Sequence, residues 1–354
     1  MGASQEAVGT PPARRYGLSS RLPGLPRGRG DAAAGIAMEY TMLGRTGLSV
    51  SVAGLGCGGS SKLGRAAGRS EAESVALVRQ AIDLGVNFID TAASYGTEEI
   101  VGKAVAGLPR DQVVVATKAQ IREDGRLLSA PQVIGSLERS LRNLRSDHVD
   151  IFQLHGVPLA AYDHVMAELV PALLDEQAKG KIRHLGITET PPNDPRHLML
   201  QRAVHDDCWQ SFMLAFHMMN QNARQLVFPQ TMEKRVGMLL MFAVRSIFSA
   251  PGRLEETIRT LAADRRVPAW LAEREQPLDF LLHGDTTSVI DAAYRYARHE
   301  PGVDVVLFGT GDVAHMRSNI ESILKPPLPA DDRAQLEALF GTLEGIGLDR
   351  PRQP

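Results

Sequence analysis

The chain predicts a single (β/α)8 barrel, an α/β fold, with an N-terminal β-hairpin and a long insertion after the seventh strand. Three observations predict it. From Glu39 onward, short β-branched apolar runs alternate with helix-like stretches until eight strands have been passed. The runs lack polar alternation, as strands buried on both faces do. Three of them end on Asp90, Lys118 and His155, with Tyr95 following Asp90, and in a barrel such ends share the C-terminal mouth, where that fold places its chemistry. Strand–helix alternation by itself would also permit a doubly wound sheet.

Residues 1–37 are rich in Gly, Ala, Pro and Arg (Arg14, Arg15, Arg21, Arg27, Arg29) and lack apolar periodicity. They are expected to be disordered, with a transit peptide and a mis-assigned start, Met38 opening the ordered-looking chain, as equal alternatives for their origin. The barrel is assigned to 38–347 and a loose tail to 348–354. Residues 40–43, the Gly44-Arg45-Thr46-Gly47 turn and 48–50 read as the hairpin. The first strand is 52–57. Helix 71–84 follows from the spacing of Val75, Leu77, Val78 and Ile82, with Ser70 as N-cap and Gly85 just past the end. The second strand is 86–90. Helix 98–106 then leads to strand 113–117, helix 131–144 to strand 149–154, a helix near 164–179 to strand 182–187, helix 195–205 to strand 211–216, and helix 222–235 to strand 237–243. The insertion, 244–303, contains Pro251, Pro268, Pro277 and at least one helix, 288–299. The eighth strand is 303–308, followed by helix 313–324.

Composition narrows the function classes. The 354 residues carry 39 Lys and Arg against 41 Asp and Glu, a net charge of −2, and no aromatic-interleaved basic stripe, so nucleic acid is not an expected partner. No apolar run approaches the roughly 20 residues needed to span a bilayer. Two distant cysteines, Cys57 and Cys208, are no disulfide framework and fit a reducing, cytoplasmic setting. Without HExxH or paired CxxC motifs, no metal site is expected.

Gly54-Leu55-Gly56-Cys57-Gly58-Gly59 matches GxGxxG after a strand, with Asp90 ending the next. The dinucleotide fingerprint requires the third glycine to open a helix, however, and Ser60 to Arg69 intervenes. The run is better read as backbone that lets a flat ligand approach closely. The four strand-end residues carry more. A phenol with pKa about 10 is a poor acid at neutral pH. An ammonium beside it favours the phenolate, so Lys118 is expected to lower the pKa of Tyr95. Asp90 would hold Lys118 charged and aimed, and His155 would donate to a carbonyl oxygen, so that Tyr95 can protonate a developing alkoxide. Singly, each residue has an ordinary explanation: Asp90 as a cap for the turn at Gly96 and Thr97, Lys118 as a surface charge, His155 as a satisfied strand-end histidine, Tyr95 as a loop aromatic. Their joint occurrence in this order is what points to chemistry.

Those residues lie in GVNFIDTAASYG (85–96), VVVATK (113–118) and DIFQLHG (150–156). With LGRTGLSVSVAGLGCGG (43–59) and GKIRHLGIT (180–188), these segments resemble the aldo-keto reductase superfamily over roughly 43–324. The resemblance implies a hairpin-plugged barrel, a nicotinamide cofactor lying extended across the mouth, and Asp90, Tyr95, Lys118 and His155 as catalytic tetrad with Tyr95 the proton donor. Gly56, Cys57 and Asp90 would adjoin the cofactor, Cys57 as a pocket wall rather than a nucleophile. Where the family has Ser-Asn on the carboxamide, this chain has Thr188 and Glu189, so a hydroxyl is kept and the amide lost. Aligned on the family's Gln-x-x-Tyr-Asn after the sixth strand, it reads Met213, Phe216 and His217; Phe216 would stack on the nicotinamide, and the lost Gln and Asn contacts would lower cofactor affinity unless Asn220 or Gln221 substitutes by a small shift. Gly309, Thr310 and Gly311 before a helix would take phosphate on free backbone N–H groups. His315 and Asn319 match positions near the adenosine 2′-phosphate and the adenine, and Arg245 or Arg253 in RSIFSAPGR (245–253) would cover the pyrophosphate. NADP(H) is the preferred cofactor and NAD(H) the alternative.

The sequence thus reads as a reductase of an aldehyde or ketone acting on a small-molecule substrate. Two rivals use the same barrel: a cofactor-binding, redox-sensing regulatory subunit with little turnover, and an enzyme whose tetrad dehydrates or isomerises without redox chemistry. The departures at Glu189, Met213 and His217 are the sequence hints towards them.

Overall fold

The computed structural model describes residues 37–348. The expected extension 1–37, apart from Ala37, and residues 349–354 of the expected tail lie outside them. Eight parallel strands close a barrel in the order β10-β11-β12-β3-β4-β5-β8-β9. They are β3 (Ala53–Gly56), β4 (Phe88–Asp90), β5 (Val114–Gln120), β8 (Val149–His155), β9 (Ile182–Thr188), β10 (Ser211–Ala215), β11 (Gly237–Met241) and β12 (Val305–Phe308). Two antiparallel pairs stand outside the barrel: β1 (Tyr40–Met42) with β2 (Ser49–Ser51), and β6 (Arg122–Glu123) with β7 (Arg126–Leu127).

Alternation along each strand decides what fills the barrel. Phe88, Val114, Ala116, Ile151, Met213, Leu239 and Val305 form an interior cluster with Leu43, Leu48 and Val50 of the hairpin. The hairpin is therefore a plug, and its turn is clamped by the Arg45 guanidinium, which donates to the carbonyls of Lys234, Asp207 and Trp209. Small residues make room for this packing. A Cβ on Gly237 would come within 2.7 Å of the Leu43 side chain, and one on Gly54 within 2.8 Å of Leu307. The alternate residues, among them Phe152, Leu185, Phe212 and Phe216, face the outer helical layer.

Helix α1 (Glu71–Asp83) starts as expected in a capping box, Ser70 and Glu73 satisfying each other's backbone N–H, and Gly85 beyond its end has φ +91°. The 244–303 insertion holds more structure than its prolines suggest: α2 (Arg253–Ala263), with Leu254, Ile258 and Leu261 buried at helical spacing, as well as α3 (Val289–Arg298). After α4 (Val313–Leu324), a helix absent from the sequence reading, α5 (Ala330–Phe340), buries Leu336, Leu339 and Phe340. The segment beyond it returns to the barrel. Leu348, assigned above to a loose tail, is only 4 % exposed. No helix among the described residues is long and apolar enough to cross a membrane.

Candidate active site

Asp90 ends β4, Lys118 lies near the end of β5 and His155 ends β8, while a 3-10 turn, Ala93–Tyr95, brings Tyr95 over them. The four predicted residues converge at the C-terminal mouth. The Lys118 ammonium is fully buried and donates to both Asp90 carboxylate oxygens at 2.7 Å and to the Thr91 carbonyl at 2.9 Å, which uses all three of its protons. It lies 5.2 Å from the centroid of the Tyr95 ring. The Tyr95 hydroxyl is 3.5 Å from His155 Nε2, the two rings meeting edge to face. Gly58 is the floor for that phenol, because a Cβ there would stand 2.4 Å from Tyr95 Cε2. That glycine thus makes room for a side chain of the site itself rather than for a flat ligand.

Burial controls the proton affinities. It pushes the Tyr95 phenol up, and Lys118 opposes this without overcoming it, so the net shift is opposite to the sequence expectation and the hydroxyl stays a neutral acid. Burial disfavours the Lys118 cation, but Asp90 and then Tyr95 more than restore it. Burial, then Lys118, lowers His155 to about 3, which leaves a neutral imidazole. Cys57 is fully buried beside the set, and burial, reinforced by Asp90, raises its thiol out of the nucleophilic range.

A second buried polar network lies past the ends of β9 and β10. Glu189 Oε2 meets His197 Nδ1 at 2.6 Å, while its Oε1 accepts from the Ala215 N–H at 2.9 Å. Asn222 donates to the Pro195 carbonyl, so its Oδ1 is an acceptor and His197 Nε2, 3.1 Å away, must donate to it. Acceptors at both ring nitrogens favour the imidazolium form. Burial disfavours this imidazolium, yet Glu189 raises its pKa on balance. Asn220 accepts from the Gly345 N–H, and Gln221 donates to the Met218 and Leu336 carbonyls. These bonds engage both of the side chains considered as replacements for the lost amide contacts. Thr188 Oγ1 accepts from the Gly156 N–H. Met213 belongs to the barrel interior, and His217 is buried with its ring edge-on to Phe248.

Phe216 is a correction. Its ring stacks on Tyr296 at 5.8 Å and packs on Phe228, fully buried in the outer layer, where it cannot meet a nicotinamide at the mouth. β10 turns Met213 inward, so Phe216 falls on the outward parity. A second aromatic, Phe242, lies directly past β11, partly exposed, with the Arg245 guanidinium 3.9 Å over its ring. Its φ of +69° is unusual for a bulky side chain, the kind of backbone strain that concentrates at functional sites.

A cavity of about 960 Å³ runs beside the mouth, lined by Arg245, Arg253, Gly309, Thr310, His315 and Asn319 among others. Gly56 adjoins it through Gly309, whose absent Cβ would lie 3.5 Å from the Gly56 carbonyl. Gly311 does not line it; it packs on the 62–67 turn, where a Cβ would be 2.5 Å from Gly64 Cα. The start of α4 is not free either. Asp312 Oδ1 accepts from the Ala314 and His315 N–H groups at 2.8 and 3.0 Å.

The family model described as Aldo/keto reductase family matches residues 55–340. L-galactose dehydrogenase of Arabidopsis thaliana is 39% identical over 160 residues, 44% of this chain and 49% of that protein, so the match spans about half of this relative. Aldo-keto reductase YhdN of Bacillus subtilis (strain 168) is 28% identical over 77% of this chain and 85% of its own length. Among solved structures, the holo form of an aldo-keto reductase from Bacillus halodurans superposes with a TM-score of 0.65 at 22% identity, covering 86% of this chain and 96% of that one, a likeness of fold.

Proposed function

The chain belongs to the aldo/keto reductase family of oxidoreductases, and from that premise we propose that it interconverts an aldehyde or ketone with the corresponding alcohol using a nicotinamide cofactor, Tyr95 moving the proton. The observation that carries this reading is the buried Asp90–Lys118 pair beneath a Tyr95 hydroxyl that faces His155. The nicotinamide, when bound, supplies or accepts the hydride.

The chain's own residues do the rest. Arg245, Arg253, Thr310, His315 and Asn319 would hold the nucleotide along the cavity. Tyr95 Oη and His155 Nε2 together bracket one oxygen position. The neutral imidazole polarises a carbonyl placed there, and the phenol donates its proton as negative charge builds on that oxygen. Lys118 then stabilises the phenolate left behind, and Asp90 keeps Lys118 charged and in place. In the oxidising direction the same phenolate takes the proton of the alcohol.

The test is oxidation of reduced nicotinamide by the purified protein against a panel of aldehydes and ketones. Turnover on at least one is expected. Nucleotide binding with no turnover across the panel would replace this reading with the redox-sensing regulatory subunit. A second reading, oxidation of a sugar as its cyclic hemiacetal, is favoured by the identity to L-galactose dehydrogenase. It predicts reduction of oxidised nicotinamide with aldoses, measurable in the same assay run in reverse.

A further inference from the structure

We infer that Gln153 is a positioning residue for the proposed reaction, its amide holding the Asp90 carboxylate ionised and in the place that Lys118 requires. This rests on the reading of Tyr95 as proton donor above and concerns what keeps the pair beneath it working. Ile151 of β8 belongs to the plugged interior and His155 ends the same strand at the mouth, so by alternation Gln153 occupies the inward layer between them. It is fully buried, at a depth where an apolar side chain would leave no polar group to satisfy. Its Nε2 donates to Asp90 Oδ1 at 3.4 Å, and its Oε1 meets no donor among the described residues. A buried amide left half-satisfied costs stability, so the bond it does make, to Asp90, points to a use other than packing.

The neighbouring strands are shaped for that amide. Gln153 stands in register with Lys118 of β5 on one side and Gly186 of β9 on the other. A Cβ on Gly186 would come within 2.9 Å of Gln153 Cγ, so β9 omits a side chain where the amide arm lies. Lys118 gives Asp90 one proton on each oxygen, and Gln153 adds a third donor on Oδ1. In a site this dry, donors to the carboxylate are what keep it ionised. Without the amide, the proton between Asp90 and Lys118 moves towards Asp90. Lys118 is then charged for less of the time and stabilises the Tyr95 phenolate less.

The experiment measures kcat, KM and nucleotide affinity for carbonyl reduction by the full chain across about pH 6 to 10, with Gln153→Met, Gln153→Asn and Ser211→Ala. Methionine keeps the volume and drops the amide; asparagine keeps the amide and falls one carbon short. Both should lower kcat about tenfold while KM and nucleotide affinity stay within about threefold. Both should also move the alkaline limb, set by loss of the Tyr95 proton, up by about half a pH unit or more, because Lys118 is the group that opposes the effect of burial on that phenol. Ser211 flanks Gly186 on the opposite side, where its Oγ would lie 2.4 Å from a Cβ, so Ser211→Ala disturbs the same layer and should leave the rate and the limb unmoved. A limb unmoved in both Gln153 variants would overturn the inference, and so would an equal shift in Ser211→Ala. A native chain that turns over no carbonyl would instead bring down the proposed function, and this inference with it.

Discussion

Asp90–Lys118 and Glu189–His197 are both buried carboxylate–cation pairs near the mouth of the barrel, and they differ in what surrounds them. The first supports Tyr95 and His155, whose reactive atoms face each other at 3.5 Å. The second closes on itself: Glu189 is spent on His197 and the Ala215 N–H, and His197 on Glu189 and Asn222. Burial and charge alone would rank the two alike. What separates a site of chemistry from a structural lock is whether an adjoining group keeps hydrogen-bonding capacity for a visitor.

The largest expected effect that sharpens this contrast is on rate. Tyr95→Phe should lower the rate constant of carbonyl reduction by about 10²- to 10⁴-fold with nucleotide affinity unchanged. Glu189→Gln should keep that rate constant within about fivefold in the same steady-state assay; an equal loss in both variants would erase the distinction. Next comes stability. Asp90→Asn strands a buried ammonium and should cost about 3–5 kcal/mol in urea unfolding, whereas Glu189→Gln should cost about 1–3 kcal/mol, because His197 can release a proton and Lys118 much less readily. Gly58→Ala forces the Tyr95 ring off its floor and should lower the rate constant by about 10- to 100-fold, less than Tyr95→Phe, with the fold retained by circular dichroism.

The smallest effects are in pH, and their signs are opposite. His155 has a lowered pKa, so its neutral form gives stability that is present above about 6.5, the unfolded value, and is lost as pH falls towards 3. Relative to His155→Asn, the native chain should lose about 2 kcal/mol between pH 7 and pH 5 in thermal or urea unfolding. His197 has a raised pKa, so its stabilisation is complete below about 6.5 and disappears as pH rises through the folded value. The advantage of the native chain over His197→Gln should shrink on the alkaline side; an advantage that grows there would mean His197 is held neutral.

The barrel and the tetrad were legible because each depends on local pattern: β-branched runs set the strands, and a polar residue at the end of such a run has one place to go. Facing was not legible in β10. Ser211 to Phe216 reads almost wholly apolar, and without polar alternation a one-residue slip exchanges the mouth for the outer layer, which is how Phe216 was misplaced. The Glu189–His197–Asn222 lock depends on a left-handed backbone at His197, φ +57°, and on contacts from beyond β10, neither of which spacing reveals. α2 was hidden by the prolines flanking it, although Leu254, Ile258 and Leu261 carry helical spacing.

The closure of the barrel has a consequence for biogenesis. β3 pairs with β12, Leu55 lying against Phe308, and Leu43 in the plug packs on Gly237. A ribosome delivers the plug and the first strand long before their partners. Until β12 emerges, β3 keeps an unpaired edge, and an exposed parallel edge invites pairing with the wrong chain. Closure of the barrel therefore waits until β12 has been made. Truncated or stalled products should be the aggregating species in the cell, and yield should respond to chaperones that shield nascent chains more than to changes that stabilise the finished barrel.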